Sequence, residues 1–309
     1  KDAQTKYDKK ELGYASNSVM RIEDLLGSIA TDWENWVYQV DDNNEYPTWI
    51  GFKPLDVSAY ADELLLNLGQ QRILMSGTIL NYDIFGRELG LKPEETAFIK
   101  VEYSPFPEKN RPIYSHIKGG KLSRKERGFE SFKKCADAIA QIAAKYPEKK
   151  GLILPFTDDI ETGIVEALRD NHPLVYARIR QHSKMPKERD AVFREFEEEQ
   201  NNEILISTYA NQGFDGKMVG FTVIAKVPFG PLGDIQVKAK AENDPKWYQM
   251  MTAVELAQMA GRCVRSESDV GHTYIIDPSF MFHFERGMKN NPLARVLPPY
   301  IATSIIKNR

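Results

Sequence analysis

"QMAGRCVRSESDVGHTYII", residues 258–276, decides how this chain is read. A helical stretch beginning near Trp247 would place Gln258, Arg262 and Arg265 at i, i+4 and i+7, along one face. Gly261 stands between the arginines, at a helix cost of about 1 kcal/mol relative to alanine. Such a glycine predicts that the face presses closely on a neighbour. Residues 269–271 then read as a turn, and "HTYII" as a strand. An exposed basic helix end explains the arginines simply, because it suits the helix dipole. A cationic claw aimed at a nucleotide phosphate explains them too.

Moving outward, apolar runs alternate with helical patterns from residue 97 onward. "AFIKVEY" (97–103), "GLILP" (151–155), "LVYA" (174–177), "EILIS" (203–207), "FTVIAKV" (221–227) and "HTYII" (272–276) read as strands. Several are apolar at consecutive positions, as in strands buried on both faces. Between them, Phe129, Phe132, Ala136, Ile139 and Ala143 recur at helical spacing, as do Ile160, Ile164 and Leu168. Asp158 or Asp159 suits the N-cap of the second helix. Val192, Phe193 and Phe196 mark a third. This alternation predicts an α/β fold with a doubly wound, mostly parallel sheet.

The first hundred residues differ. Residues 1–50 show no clean period. After them "FKPLDVS" (52–58), "AYADELLLNLG" (59–69) and "RILMSGTI" (72–79) read as one strand–helix–strand unit, too small to fold alone. The unit resembles the end of a sheet whose other strands lie elsewhere. A first residue of Lys1 suggests a chain cut from something longer.

Bulk properties exclude several classes. The 309 residues carry a net charge of -3 and two cysteines, Cys135 and Cys263, far apart in sequence. A disulfide framework or zinc site is not expected, and a reducing compartment fits. No apolar run approaches the roughly 18 residues of a membrane span. The five histidines make no HExxH, and no GxSxG elbow occurs. Gly119-Gly120-Lys121 lacks the upstream glycine and following Ser or Thr of a phosphate loop, and Asp62-Glu63 reads as helix surface. Between Lys109 and Arg127, the cations Lys118, Lys121 and Arg124 belong to a basic stretch. It suits either a solvated loop or a track for a phosphate backbone.

In this order and at these distances, the stretches resemble the C-terminal motor half of a superfamily 2 helicase of the DinG/XPD group. "ILMSGTI" resembles motif III, and "VEYSPFPEKNRPIY" (101–114) the Ser-Pro-Phe segment after it. "GLILPFTDD" (151–159) is similar to motif IV. "ILISTYANQGFDG" with "VIAKVPFGPLGD" is similar to motif V and its sequel. "QMAGRCVRSESDVGHTYIIDPSF" resembles motif VI, and "VLPPY" (296–300) the group's ending. The sequence departs from the pattern at Gln212, where an acid is usual, and at residues 277–279.

The resemblance implies two RecA-like motor domains with ATP between them, driving 5′ to 3′ movement on single-stranded DNA. Residues 1–50 would belong to an arch-like insertion, 51–80 to the end of the first motor domain, and 81–309 to the second. Arg262 and Arg265 would reach the γ-phosphate as arginine fingers, with Gln258 beside them. Gly213, Asp215, Gly261, Ser76, Gly77 and Thr78 would bind nucleotide or couple the domains. Thr157, Ser207 and Thr208 would contact DNA phosphates, with Lys118, Lys121 and Arg124. ATP and Mg2+ would be held mainly by the N-terminal motor domain, whose phosphate loop and acidic motif this sequence lacks. Any iron–sulfur cluster would lie upstream, and no metal is expected in this chain. The expected partners are single-stranded DNA and that first motor domain, with no membrane, in a cytoplasmic or nucleoid-associated setting. This chain alone would be inactive. A non-catalytic helicase-like module that only docks DNA or a partner is the alternative.

Overall fold

A computed structural model describes residues 2–40, 49–101, 104–211, 214, 219–280 and 296–306, with backbone alone for 2–9, 62 and 63. The chain divides into two compact units. One gathers Lys1–Arg72, Gly86–Glu95 and Pro231–Pro245; the other gathers Ile73–Phe85, Thr96–Gly230 and Lys246–Arg309.

In the first unit, the stretch without a clean period is one long helix, α1 (Asp2–Thr31). It contains no proline, the residue that most strongly breaks a helix, although Gly13 and Gly27 lie within it. Strand β1 (Trp36–Val40) pairs antiparallel with β2 (Ile50–Pro54), setting Tyr38 opposite Phe52. Of the strand expected at 52–58, only residues 52–54 lie in this pair, and residue 58 opens a helix. Helix α2 (Ser58–Ala61) runs on into a π-helical turn, Asp62–Leu66. That turn carries the Asp62-Glu63 backbone; their side chains lie outside the described residues. Asp234 caps α8 (Ile235–Asn243), accepting from the amides of Gln236 and Val237 at 2.9 and 3.2 Å, and pairs with Lys53 at 2.5 Å.

The second unit is built on seven parallel strands in the order β5-β6-β4-β7-β8-β3-β9. These are β3 (Ile113–Tyr114), β4 (Lys150–Leu154), β5 (Ile179–Arg180), β6 (Ile204–Ile206), β7 (Val219–Ile224), β8 (His272–Ile275) and β9 (Ile305–Ile306). Helix α3 (Tyr82–Glu88) comes before β3 in the chain, and helices α4 (Phe129–Ala143), α5 (Asp158–Asn171), α7 (Pro186–Glu198) and α9 (Pro245–Ala260) complete the α/β layers. Side chains alternate across a strand, and both faces here are apolar. Leu152, Leu154 and Leu205 join Phe196, Leu256 and Met259 in one core. Ile153, Ile204 and Ile206 join Ile139, Ile142, Ile160 and Ile164 in the other. Two-sided burial is why β4, β6 and β7 carry apolar residues at consecutive positions.

Three expected strands differ. Residues 72–79 and 97–101 form none, and 102–103 lie outside the described residues. An apolar alternation becomes a strand only when its backbone finds a ladder partner. These stretches have none among the described residues, and Ile73 and Ile99 stand 85% and 88% exposed. At 174–177 the sequence instead makes α6 (Pro173–Tyr176), because Pro173 opens a helical turn, and the strand follows at 179–180. The N-cap of α5 is Thr157, one residue before the expected aspartates. Among the described residues, no helix is long and apolar enough to cross a membrane.

Candidate functional site

Two clusters in the second unit gather most of the candidate residues. The first is centred on the arginines. Helix α9 stops at Ala260, residues 261–263 make a single 3-10 turn, and Val264 is extended. Gln258, Arg262 and Arg265 therefore do not share one α-helical face. The two arginines are brought together by their hydrogen bonds. Arg262 Nη1 and Arg265 Nη2 both donate to the carbonyl of Phe214, at 2.6 and 2.8 Å, and Arg262 Nη2 donates to the carbonyl of Asn211. Asn211 in turn donates its side-chain amide to Glu255 Oε1 at 2.8 Å. Burial raises the Glu255 carboxyl above its ordinary value, with the Asn211 bond opposing. The motif V-like loop and the end of α9 are thus joined through side chains that point the arginines at one acceptor.

Gln258 reaches the motif III-like turn. Its Nε2 donates to Thr78 Oγ1 at 3.0 Å, while the Thr78 amide donates to Ser76 Oγ at 3.2 Å. The Ser-Gly-Thr turn is organised by its own hydroxyls and held by α9, with open space around Gly77. Gly261 does not meet the close-packing expectation either, since an added Cβ would find nothing within 4 Å. The glycine that packing requires is Gly271, where a Cβ would lie 2.1 Å from that of Cys263. The Asp269 carboxylate accepts from the amides of Arg265 and Ser266, each at 2.8 Å, and these bonds hold it below the usual carboxylate range. That turn fixes the backbone on which Arg265 stands. Gly213 and Asp215 lie outside the described residues, as does Gln212.

The second cluster lies at the carboxyl ends of β4 and β6, where open parallel sheets present their loops. Phe156 leaves β4 with φ at 86°, a strained conformation for a residue with a Cβ, and delivers Thr157 to the start of α5. Thr157 Oγ1 donates to Asp159 Oδ1 at 2.5 Å. Thr208 Oγ1 donates to Asp158 Oδ1 at 2.9 Å, and the Thr208 amide to Glu161 Oε2 at 3.2 Å. Lys184 pairs with Asp158 at 2.5 Å and holds that carboxyl below its ordinary value, helped by Thr208. Burial pushes the Glu161 carboxyl up to about 7, against the Thr208 amide bond. Ser207, expected among the phosphate contacts, is fully buried. Its hydroxyl accepts from the amides of Tyr209 and Ala210 at 3.0 and 3.2 Å and bonds His182 Nε2 at 2.8 Å. It shapes the turn that presents Thr208 and has no surface to offer a ligand.

The basic segment reaches the same edge. Arg127 pairs with Asp159, and the Gly119 amide donates to the carbonyl of Ile276 just beyond β8, at 2.8 Å. Lys118, Lys121 and Arg124 are exposed there, Lys121 paired with Glu126 at 2.8 Å. Gly120 is explained by packing, because a Cβ would lie 2.2 Å from the carbonyl oxygen of Ser131. Arg111, also in the basic stretch, turns inward. It donates to the carbonyls of Phe106 and Tyr300 at 3.0 and 2.5 Å, tying the Ser-Pro-Phe segment to the "VLPPY" ending.

Among the described residues, no group of three His, Cys, Asp or Glu side chains could hold a metal ion. Cys135 and Cys263 are buried and free, and burial pushes each thiol up to about 11.

The model of the helicase C-terminal domain matches residues 124–290. Among solved structures, an XPD helicase matches over 85% of this chain and 47% of its own, at 17% identity and a TM-score of 0.54. An apo XPD matches over 85% and 53%, at 18% identity and a TM-score of 0.53. Xpd4 of S. tokodaii matches over 83% and 48%, at 14% identity and a TM-score of 0.54. At these identities the likeness is one of fold, and this chain spans about half the length of the structures it matches. No curated protein matches it in sequence. The matched span takes in the Thr157 and Thr208 edge and the Arg262–Arg265 cluster, and the chain belongs to the helicase C-terminal domain family.

Proposed function

We propose that the chain is the C-terminal motor half of an ATP-dependent DNA helicase that moves 5′ to 3′ on single-stranded DNA. It supplies the second wall of an ATP site whose phosphate loop and magnesium ligands belong to a first motor domain. The observation that carries this reading is the convergence of Arg262 and Arg265 on the Phe214 carbonyl. Planar guanidinium forks match phosphate oxygens, and two side by side suit the charge on a transferring phosphoryl group. Phosphoryl transfer gains most from such positioned charge. ATP is the substrate here, and this chain's part is to orient and neutralise its γ-phosphate.

Gln258 would sense the same event through Thr78, and Asn211 would carry it into the loop that leads back to Thr208. Single-stranded DNA would run along the carboxyl edge, with phosphates near Thr157, Thr208 and the exposed Lys118, Lys121 and Arg124. The test is strand displacement and DNA-stimulated ATP turnover by the protein that carries this chain together with a phosphate-loop domain. Substrates with a 5′ or a 3′ single-stranded tail read the direction. Turnover that ignores single-stranded DNA would contradict the proposal.

A further inference from the structure

Tyr209 follows Thr208 at the carboxyl end of β6, and nothing above gives it a role. Its surroundings are those of a ring held in place yet left open. The backbone is pinned, because the Tyr209 amide donates to the buried hydroxyl of Ser207 at 3.0 Å. The Arg189 guanidinium lies over the ring, 4.7 Å from its centre, and the His182 ring meets it edge-on at 5.7 Å. His182 is itself bonded to Ser207 at 2.8 Å. With backbone and ring both supported, Tyr209 is still 38% exposed. Lys184 and Thr208 share the Asp158 carboxylate, and the Lys184 side chain is 71% exposed.

We infer that Tyr209 is a stacking platform for one nucleobase of the single strand, beside the place where Thr208 and Lys184 meet that nucleotide's phosphate. The inference rests on the nucleic-acid reading above and deepens it, since contacts through hydroxyls and cations read only the backbone. A preordered aromatic face adds affinity for every base without selecting a sequence. It suits a protein that moves along a strand of any sequence. The Arg189 guanidinium, planar and weakly hydrated, covers one face of the ring and adds its own cation–π attraction.

The test compares the 309-residue chain and its Tyr209→Ala and Tyr209→Phe variants on two labelled strands of equal length. One is oligo-dT and the other an abasic strand with the same phosphates, both at one low salt concentration. The wild-type chain should prefer oligo-dT over the abasic strand by at least about fivefold, the lower end of what one base–aromatic stack contributes. Tyr209→Phe should keep that preference. Tyr209→Ala should lose most of it while binding the abasic strand as the wild type does. Equal weakening on both strands would make Tyr209 a structural part of the turn and overturn the inference. So would an unchanged preference in Tyr209→Ala, or a wild type that does not distinguish the strands. A wild type that binds neither strand would overturn the nucleic-acid reading as well, which separates the two failures.

Discussion

Arg262 and Arg265 donate to a single acceptor, the carbonyl of Phe214, at 2.6 and 2.8 Å. Sharing one oxygen draws the two guanidinium groups together. An anionic oxygen attracts a guanidinium more strongly than a neutral carbonyl does. The same bonds tie the Asn211–Phe214 segment to the end of α9. Phosphate that draws the arginines away would therefore loosen a loop continuous with Thr208 and Tyr209. This is the physical link between the nucleotide and DNA roles proposed for this chain.

The 309-residue chain by itself should hydrolyse ATP at no more than background. The phosphate loop and magnesium ligands are proposed to belong to a first motor domain, and phosphoryl transfer in such motors needs them together with the arginines. Phosphate release, measured with and without single-stranded DNA, checks this. Robust DNA-stimulated turnover by the chain alone would contradict the division of labour.

Binding of oligo-dT to the chain should weaken with salt, the logarithm of affinity falling by about 0.7 per phosphate contact for each unit of log salt. Reversing the charge of Lys118, Lys121 and Arg124 together should flatten that slope. All three are exposed at the edge where Arg127 pairs with Asp159, and the change at 121 would also face Glu126. An unchanged slope would return the segment to a solvated loop.

Two glycines in one motif should behave oppositely. Gly271→Ala puts a Cβ 2.1 Å from the Cys263 Cβ, and Gly261→Ala puts one into open space. The first should destabilise by about 1–3 kcal/mol, as overpacking does. The second should stay within about 1 kcal/mol of wild type. Urea denaturation of both variants measures the difference, and similar stabilities would contradict the packing described around Cys263.

Glu161 should give the fold a pH signature. Its carboxyl rises from an ordinary value of 4.5 to about 7, first because it is buried, so the folded chain binds the proton more tightly than the unfolded one. Its contribution to stability is full below about pH 4.5 and is lost as pH rises through 7. Thermal unfolding between pH 4.5 and 7.5 should therefore show a fall in wild type that is smaller in Glu161→Gln. Parallel curves for the two proteins would remove Glu161 as the source.

Much of this was legible in the sequence where one segment's chemistry suffices. The runs at 151–155, 203–207, 221–227 and 272–276 are strands because apolar residues on both faces demand a parallel sheet covered on each side. The stretch at 72–79 also holds consecutive apolar residues and is no strand, since pairing depends on a partner that no local pattern reveals. The arginines were visible, but their meeting point was not. A turn after Ala260 ends the helical face, and a backbone carbonyl 48 residues away in sequence from Arg262 brings the side chains together again. Ser207 looked like a ligand contact for the same reason, because its burial is set by the sheet around it. Tyr209 gave no signal in its residue type; its support comes from Arg189 and His182 on other segments.

The most direct test of the central claim is DNA-stimulated ATP turnover by Arg265→Ala, made in the protein that joins this chain to its phosphate-loop domain. An arginine delivered across a cleft is worth about 10³ to 10⁵ in rate, so turnover should fall by that order. Thermal unfolding and single-strand binding should stay close to wild type. Arg265→Lys should rescue little, because an ammonium cannot reproduce the planar fork. Near wild-type turnover in Arg265→Ala would contradict the account and leave a helicase-like module whose arginines serve only to hold the Phe214 loop.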